Sequence, residues 1–547
     1  MVEPETYQDG LPGENTAERR TPPWSLKSAF LVCLSFSNLC FLGAWQQLES
    51  RYYEFFLSPP VRLDVALRYF LALLTDIALL TLILWGVYVW IRRTSIPRAP
   101  SIVAAGFLVL LVVPLNLLRT ELGLFSLKSP VVLAGVLVLG IGVIVWHMVP
   151  FRIMAFLLML FSPLLFVHII SSASHVIGAS RYIEPALARR FSNVPPRRLV
   201  WVVFDEFDQG LTFEARPPGM RLPNLDALKE ESLSANNVHR SQRSTQLAIP
   251  SLIFGKTVSR DEIAGPTGLS LTFTDGTSRT YPFSDSVFSI VRDRGVNAAV
   301  SGWYIPYCRL FNDSLTDCNW VPAESQVTSI FTSLDPSITK SFLKTMAMFP
   351  LDVLGRLPWL DRLGLTWGVA NKTRAAHQII ELQSIHQAAL RFSTDAGLGF
   401  IYLHYPIPHL QGIYNSATSQ VQPGGNYWDN LQLVDRTLGD LRSVMEQAHM
   451  WDSAAVLVSS DHNWRRTYWD HVRFPPVDFV PPGVERPLVP FLLKLPSQQT
   501  AVRYESPFNA VLTRDLVLSI LCGEVSSPEQ AVQWLDGNRA RFPIGGK

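Results

Sequence analysis

Carboxylate and imidazole side chains follow two apolar, strand-like runs of this sequence. Asp205 comes directly after VWVVF, and Asp461 and His462 come directly after AVLVSS. Carboxylate oxygens and imidazole nitrogens are common protein ligands of divalent cations, and this mixture suits Zn²⁺ or Mn²⁺. We therefore predict a metal site at these two strand ends. A solvated acidic turn is the alternative interpretation of Asp205.

Thr245 is the predicted nucleophile. It precedes a short apolar run, QLAIPSLIF, that we expect to be helical. The start of a helix directs backbone N–H groups towards negative charge, and a coordinated metal helps a hydroxyl to form an alkoxide. The neighbouring Ser244 could be either the nucleophile or a helix cap. A helix-capping hydroxyl is the alternative interpretation of both residues.

Histidine, basic and aromatic side chains are candidates for proton transfer and anion binding. His404 and His409, in the segment YLHYPIPH, could protonate a leaving group or bind phosphate oxygens. His471 lies close enough to Asp461 in the sequence to return to the same pocket. The predicted substrate-binding residues are Lys256, Trp303, Arg309 and Arg465. A structural or surface role is the alternative for each of these side chains.

The second half of the chain alternates apolar runs with amphipathic patterns. The runs expected to form strands are Leu199–Phe204, Ala298–Ser301, Leu398–Leu403, Ala454–Ser459 and Leu488–Leu493. The helices expected between and after them are Asn224–Ser232, Asp285–Arg294, Ala375–Arg391, Asn430–Gln447 and Pro507–Leu521. This alternation predicts an α/β sandwich with a mainly parallel sheet. Because chemistry gathers at the carboxyl ends of strands in such sheets, we expect the acidic and histidine residues to converge.

The first half of the chain is predicted to be a membrane domain. It contains five apolar segments, each near the length of about 20 residues that crosses a bilayer: Ala29–Trp45, Arg68–Trp90, Ile102–Leu118, Val131–Met148 and Ile153–Ser171. The polar tail before them has no cleavage-site pattern, so the first segment is interpreted as an anchor. The distribution of Lys and Arg places the tail in the cytoplasm and the chain after the fifth segment outside it.

Composition narrows the functional classes. Of 547 residues, 48% are hydrophobic and 17% are charged, which is an apolar balance for a soluble enzyme. The net charge of +2 argues against a nucleic-acid partner. Among five cysteines, Cys308 and Cys318 are placed to form a disulfide in an oxidising compartment, and two unpaired thiols are the alternative.

With these residues in view, the second half resembles the sulfatase-like branch of the alkaline phosphatase superfamily. The similarity runs from about Arg198 to Pro496 and follows the order VWVVFDEFD, LPNLDALKEESL, PSLIFGK, YLHYPIPH, NLQLVDRTLGDL, SSDHNW and RPLVPFLLKLP. The resemblance implies an α/β sandwich of alkaline-phosphatase/sulfatase type. It also implies a divalent metal, Zn²⁺ or Mn²⁺ with Ca²⁺ as a third candidate, bound by Asp205, Thr245, Asp461 and His462.

The nucleophile segment departs from that of typical sulfatases. Those enzymes convert a Cys or Ser in C/S-x-P-x-R to formylglycine, whereas this chain has Thr245-Gln-Leu-Ala-Ile. A threonine there resembles the membrane-bound phosphoethanolamine transferases and the lipoteichoic acid synthase family, which also have five N-terminal spans. Their substrate-site histidine corresponds best to His409, with His471 as a second. Their first ligand is usually Glu, so Glu206 is an alternative ligand to Asp205.

These observations predict four parts: a cytoplasmic tail (1–28), five transmembrane helices (29–171), a linker (172–197) and an extracytoplasmic catalytic domain (198–547). The predicted protein is integral to the bacterial inner membrane. It transfers phosphoethanolamine or phosphoglycerol from a membrane phospholipid to an envelope glycan or lipid, through a phospho-threonine. A membrane-anchored hydrolase of phosphate or sulfate esters is the first alternative, and a non-catalytic binding domain is the second.

Overall fold

A computed structural model describes residues 25–49, 55, 63–94, 134–135, 138, 149–192, 195–322, 338–355, 367–409, 411–466, 469 and 486–544. The chain divides into two compact units. One comprises Met1–Gly43 with Leu74–Val167, and the other comprises Ala44–Leu73 with His168–Lys547. The candidate site lies wholly within the second unit.

The N-terminal helices are strongly apolar. Their bounds are α1 Leu26–Cys40, α2 Leu42–Glu49, α3 Leu63–Arg93, α4 Val149–Leu160 and α5 Leu164–Arg181. Among the described residues, two helical stretches are long and apolar enough to cross a membrane, Leu67–Arg93 and Ala155–His175. Large apolar side chains such as Ile83 and Ile170 are exposed on them, as expected of surfaces that face lipid.

The prediction of five transmembrane helices is therefore supported only in part. The second and fifth predicted segments coincide with the two long apolar stretches. The first is instead divided into the short helices α1 and α2, which are separated at Phe41. The third segment, and all but three residues of the fourth, lie outside the described residues.

The following part of the chain forms the predicted α/β architecture. Its strands are β1 Leu199–Asp205, β2 Leu233–His239, β3 Val258–Ala264, β4 Gly268–Phe273, β5 Ser278–Thr280, β6 Ala298–Tyr304, β7 Asp317–Pro322, β8 Phe400–Pro408, β9 Tyr414–Asn415, β10 Gln420–Val421, β11 Ala455–Ser460, β12 Leu488–Lys494, β13 Val502–Tyr504 and β14 Phe508–Asn509. Its α-helices are α6 Pro223–Glu230, α7 Thr245–Phe254, α8 Val287–Asp293, α9 Tyr307–Leu310, α10 Ile338–Gly355, α11 Trp367–Ser393, α12 Tyr427–Gln447, α13 Thr513–Cys522 and α14 Pro528–Asn538.

Nine strands form one mixed sheet in the order β13-β2-β12-β11-β1-β8-β6-β7, with β14 paired to β2. The strands around β1 are parallel, and only the β11–β12 and β12–β2 pairs are antiparallel. The five predicted strands are present, and four of the predicted helical regions are helical over most of their length. The fifth, Pro507–Leu521, begins with β14, and its α-helix starts at Thr513. β2, the edge strands β7 and β13 and the separate three-stranded ribbon β3-β4-β5 were not predicted from the sequence.

The strand β1 is buried on both faces, as its unbroken apolar sequence predicts. Leu199, Trp201 and Val203 pack into one hydrophobic cluster, whereas Val200 and Val202 pack into a second one on the other face. Helices cover both clusters, so the sheet is the middle layer of a sandwich. This double burial fixes the strand register and, with it, the positions of the residues that follow each strand.

Candidate active site

The carboxyl ends of three adjacent parallel strands bring the predicted acidic and histidine residues together. β1 lies between β8 and β11, and Val203 is in register with His404 of β8. Asp205 ends β1, and Asp461 and His462 directly follow β11. The four acidic and histidine side chains are fully buried. They form what we call the carboxylate–histidine cluster: Asp205, His404, Asp461 and His462.

Thr245 is the first residue of α7, and its hydroxyl contacts this cluster. Its Oγ1 donates a hydrogen bond to Asp205 Oδ2 at 3.2 Å and lies 3.3 Å from His462 Nε2. Ser244 precedes the helix with extended backbone, and its side chain caps no backbone N–H. Of the two neighbouring hydroxyls, Thr245 is therefore the one that the fold holds against the cluster, at the positive end of a helix.

Three buried polar atoms of the cluster have no hydrogen-bond partner among the described residues: Asp205 Oδ1, Asp461 Oδ2 and His404 Nε2. Such atoms are rare because burial removes their water at a cost in free energy. One ligand atom from each of these three residues lies within 4.8 Å of the others. Two carboxylates and an imidazole at this spacing fit a divalent cation, which would supply both the missing partner and the missing positive charge.

Backbone carbonyls fix the orientation of both histidines. His404 Nδ1 lies 3.0 Å from the carbonyl oxygen of Trp303, and His462 Nδ1 lies 3.0 Å from that of Asn463. A carbonyl can only accept, so each Nδ1 carries the proton and each Nε2 keeps its lone pair. His462 Nε2 lies 3.4 Å from Asp461 Oδ2. Anchoring the far nitrogen in this way is usual for imidazoles that bind metals.

Burial controls protonation in the cluster. It lowers the pKa of His404 to about 4 and the pKa of His462 well below its usual value, so both rings are neutral at neutral pH. Burial, followed by the charge of Asp461, raises the pKa of Asp205. The pKa of Asp461 is also raised, chiefly by burial. Neutral imidazoles beside carboxylates that need a positive charge are the state in which a metal site binds its ion.

Glu206, the alternative metal ligand, turns away from the cluster. Its Oε1 accepts hydrogen bonds from the backbone N–H of Arg465 at 2.8 Å and from its Nε at 3.3 Å. Its Oε2 accepts one from Trp469 Nε1 at 3.2 Å. The backbone of Glu206 has φ of 64°, a left-handed conformation that directs its N–H to Asp461 Oδ1. Glu206 therefore positions Asp461 and Arg465, and Asp205 is the carboxylate that meets the nucleophile.

His409 and Arg465 lie together at the edge of the cluster. Arg465 Nη2 donates to His409 Nε2 at 2.9 Å, and the ring of Trp303 packs against His409 with centroids 5.5 Å apart. Both His409 and Arg465 are half-buried, so a ligand can reach them. The two histidines predicted for proton transfer are thus in different settings: His404 faces the carboxylates, whereas His409 lies at the rim.

Two predicted substrate-binding residues form ion pairs with acidic side chains. Lys256 Nζ forms an exposed ion pair with Asp275 Oδ2 at 2.9 Å. Arg309 is fully buried, where it pairs with Glu184 at 2.8 Å and donates to the carbonyl oxygen of Pro266 at 2.9 Å. The prediction for Arg309 is corrected, because its side chain is fully buried. Substrate binding by Lys256 stays a prediction. The segment that carries His471 lies outside the described residues.

Several residues of the site were not identified from the sequence. Tyr307 OH lies 2.9 Å from His404 Nδ1. Arg240 Nη1 donates a hydrogen bond to Asn463 Oδ1, which places a second arginine beside the Asp-His pair. The basic segment HRSQRS directly before Thr245 was the available signal for Arg240. No local pattern marks Tyr307.

No family model matches the chain, and no curated protein matches its sequence. Solved structures are similar to it at low identity. A lipoteichoic acid synthase from Listeria monocytogenes is 12% identical, with a TM-score of 0.36, over 61% of this chain and 75% of that one. A phosphonate monoester hydrolase of Agrobacterium radiobacter is also 12% identical, with a TM-score of 0.37, over 60% and 74%.

A protein in the alkaline phosphatase superfamily from Vibrio parahaemolyticus is 13% identical, with a TM-score of 0.35, over 62% of this chain and 68% of that one. The side chains of the site, and not these similarities, carry the chemistry.

Proposed function

We propose that this protein is a membrane-bound, metal-dependent transferase. It would move a phospho-alcohol group, phosphoethanolamine or phosphoglycerol, from a phospholipid to a glycan or lipid of the bacterial envelope. The observation that carries the proposal is the position of Thr245, whose hydroxyl lies 3.2 Å from Asp205 and 3.3 Å from His462 at the start of a helix. A structural hydroxyl would not require two unpartnered carboxylate oxygens nearby.

The first half of the reaction forms a bond between Thr245 Oγ and the phosphorus of the donor. The bond between that phosphorus and the glycerol oxygen of the lipid breaks, and the proton lost by Thr245 ends on the departing diacylglycerol. In the second half the oxygen of an acceptor hydroxyl bonds to the phosphorus of the phospho-threonine and the bond between that phosphorus and Thr245 Oγ breaks. The proton lost by the acceptor hydroxyl ends on Thr245. The backbone N–H groups at the start of α7 stabilise negative charge that develops on the phosphoryl oxygens.

The cluster residues Asp205, Asp461, His404 and His462 would hold the cation, next to the Thr245 hydroxyl. When bound, Zn²⁺ or Mn²⁺ supplies positive charge that favours the alkoxide and offsets charge on the phosphoryl group; Ca²⁺ is a third candidate. The carbonyl bonds to the two Nδ1 atoms keep both imidazoles in the tautomer that binds metal.

His409 is the side chain best suited to carry the proton. His409 is half-buried at the rim, and its backbone N–H donates to the Asp205 carbonyl oxygen at 3.1 Å. The Trp303 ring packs against the imidazole. Arg465 donates to its Nε2 and would bring positive charge close to the donor phosphate. His404 is fully buried among the cluster atoms and is assigned to metal binding instead.

A lipid donor accounts for the apolar helices. The stretches Leu67–Arg93 and Ala155–His175 are more membrane anchor than a hydrolase of soluble esters requires. With the catalytic domain on the extracytoplasmic side of the inner membrane, the site would remain near its donor. The same site with water as acceptor would hydrolyse phosphate or sulfate esters, and this second function is one outcome of the test below.

The test is the intact mass of the full-length protein in detergent, after incubation with bacterial phospholipids and Mn²⁺ or Zn²⁺. We expect an adduct on Thr245 in the wild type, and its mass identifies the transferred group. Thr245→Ala should lack the adduct, whereas the matched control Ser244→Ala should retain it. Steady release of a phospho-alcohol to water, without acceptor-dependent transfer, would favour the hydrolase. An adduct that persists in Thr245→Ala would overturn the assignment of the nucleophile.

A further inference from the structure

Three arginines lie on the two chain segments that carry Thr245 and His462. Arg240 and Arg243 come shortly before Thr245, and Arg465 comes shortly after His462. Arg240 is tied to the second segment through Asn463. Arg465 Nη1 reaches the carbonyl oxygen of Arg243 at 3.5 Å. The two segments therefore lie side by side, next to the residue that precedes the nucleophile by two positions.

Only one of these three arginines is neutralised by a nearby carboxylate. Arg465 pairs with Glu206. Within the described part of the chain, neither Arg240 nor Arg243 lies within ion-pair distance of an acidic side chain. The charge of Asp208 acts on Arg240, but the two carboxylate oxygens of Asp208 already accept hydrogen bonds from backbone N–H groups.

Arg240 and Arg243 lie close enough for their charges to interact. After burial, the positive charge of Arg243 is the largest cause that lowers the pKa of Arg240. Like charges held this close repel one another, which costs stability unless an anion is bound between them. Two positive charges thus remain beside Thr245 once Asp205 and Asp461 are balanced by a divalent cation.

We infer that Arg240 and Arg243 form a subsite for a second anionic group, a phosphate or a carboxylate, on the molecule that binds at Thr245. This inference rests on the proposed function and narrows it. A ligand with one phosphodiester needs only the metal and Arg465, so a further pair of arginines suits a ligand with additional negative charge. The same pair repels a cationic headgroup. Ligands that carry a free ammonium, such as phosphoethanolamine diesters, are therefore disfavoured.

A matched series of soluble glycerophosphodiesters tests the subsite. The three probes share one diester and differ only at the headgroup end, which carries an ammonium, a hydroxyl or a phosphate. Binding is measured on full-length Thr245→Ala protein in detergent, loaded with Mn²⁺, so that no turnover occurs. We expect the phosphate probe to bind at least about tenfold more tightly than the hydroxyl probe, as charge-assisted contacts do. The ammonium probe should bind most weakly.

Substitutions in the same background show which residues cause the preference. Arg243→Gln should weaken binding of the phosphate probe several-fold, and Arg240→Gln with Arg243→Gln should remove its advantage over the hydroxyl probe. Arg243→Lys should retain part of the preference for the phosphate probe over the hydroxyl probe. The matched control is Arg279→Gln, which removes an exposed arginine of β5 that pairs with Asp285. Because Arg243 is exposed, its variant should fold even if Arg240→Gln does not.

The possible results separate this inference from the proposed function. Equal binding of the three probes by the Arg-intact protein would overturn the subsite, as would an unchanged preference in Arg243→Gln and in the double variant. Charge preference is read without turnover, so it stands apart from the Thr245 adduct. A clear preference with no adduct in the wild type would support the subsite and refute the transferase. An adduct on Thr245 with no charge preference would support the transferase and refute the subsite.

Discussion

Replacing Asp461 by Asn would test the metal site with little change in packing. Asp461 Oδ1 accepts hydrogen bonds from the backbone N–H groups of Glu206 at 3.1 Å and His462 at 2.7 Å, and an Asn oxygen can accept both. Oδ2 has no hydrogen-bond partner among the described residues and lies 3.4 Å from His462 Nε2. The substitution therefore removes one buried negative charge and alters only that position.

The effect of Asp461→Asn on stability should change sign when metal is added. Without metal, it relieves repulsion between two buried carboxylates, and we expect the free energy of unfolding to rise by about 1 kcal/mol, the equivalent of roughly one pKa unit. Metal at a hundredfold excess over its Kd stabilises the wild type by about 2.7 kcal/mol. The variant should gain much less, because a charged ligand is missing. The order of stability then reverses.

Thermal unfolding of the full-length protein in detergent, with EDTA or with Mn²⁺ or Zn²⁺, measures this reversal. A gain of about 2.7 kcal/mol corresponds to roughly 5 °C in Tm for a domain of this size. Scan rates must be matched, because large multidomain proteins often unfold irreversibly. Asp452→Asn, at an exposed position, is the control and should leave the metal shift unchanged. The metal assignment would be refuted if metal raised the Tm of Asp461→Asn as much as that of the wild type. It would also be refuted if Asp461→Asn were less stable than the wild type in EDTA.

Three further substitutions probe other contacts. Arg309→Met removes a fully buried arginine that pairs with the partly exposed Glu184, and it should lower the free energy of unfolding by about 3 kcal/mol in chemical denaturation. Arg279→Met, at an exposed pair, should cost less than about 1 kcal/mol. Glu206→Gln should lower kcat at least tenfold in the transfer assay and change the metal affinity less, because this carboxylate orients Arg465 and does not contact the metal. An unchanged kcat would contradict this role. Cys308→Ser opens the disulfide to Cys318 and should lower stability by about 2 to 3 kcal/mol, and equal stability before and after reduction of the wild type would argue against the crosslink.

The sequence predicts a strand best where every residue of that strand is buried. Runs such as Leu199–Asp205 and Ala455–Ser460 are buried at every position, so their apolar composition marks them as central strands. β2 was missed because only some of its residues are buried and its sequence, LSANNVH, is polar. The ribbon β3-β4-β5 was missed because it lies outside the main sheet and alternates with charged residues.

The site residues also differ in how far the sequence predicts their roles. Asp205, Asp461 and His462 follow strands directly, so strand order alone brings them together. The role of Glu206 depends on a left-handed backbone angle and on Arg465, which is 259 residues away. His404 owes its orientation to a carbonyl 101 residues away. Such long-range contacts leave no local pattern, so neighbouring residues of similar type cannot be assigned different roles from sequence alone.

The position of β1 at the centre of the sheet has a consequence for biosynthesis. Its neighbour β11 is contacted across 256 residues, as in the hydrogen bond from Ser460 to Phe204. At about 5 to 20 residues per second, roughly 10 to 50 s of synthesis separate the two strands. Throughout that interval an apolar strand with an unpaired edge is available for aggregation. We therefore expect the emerging chain to depend on chaperones more than a protein with sequential strand order does.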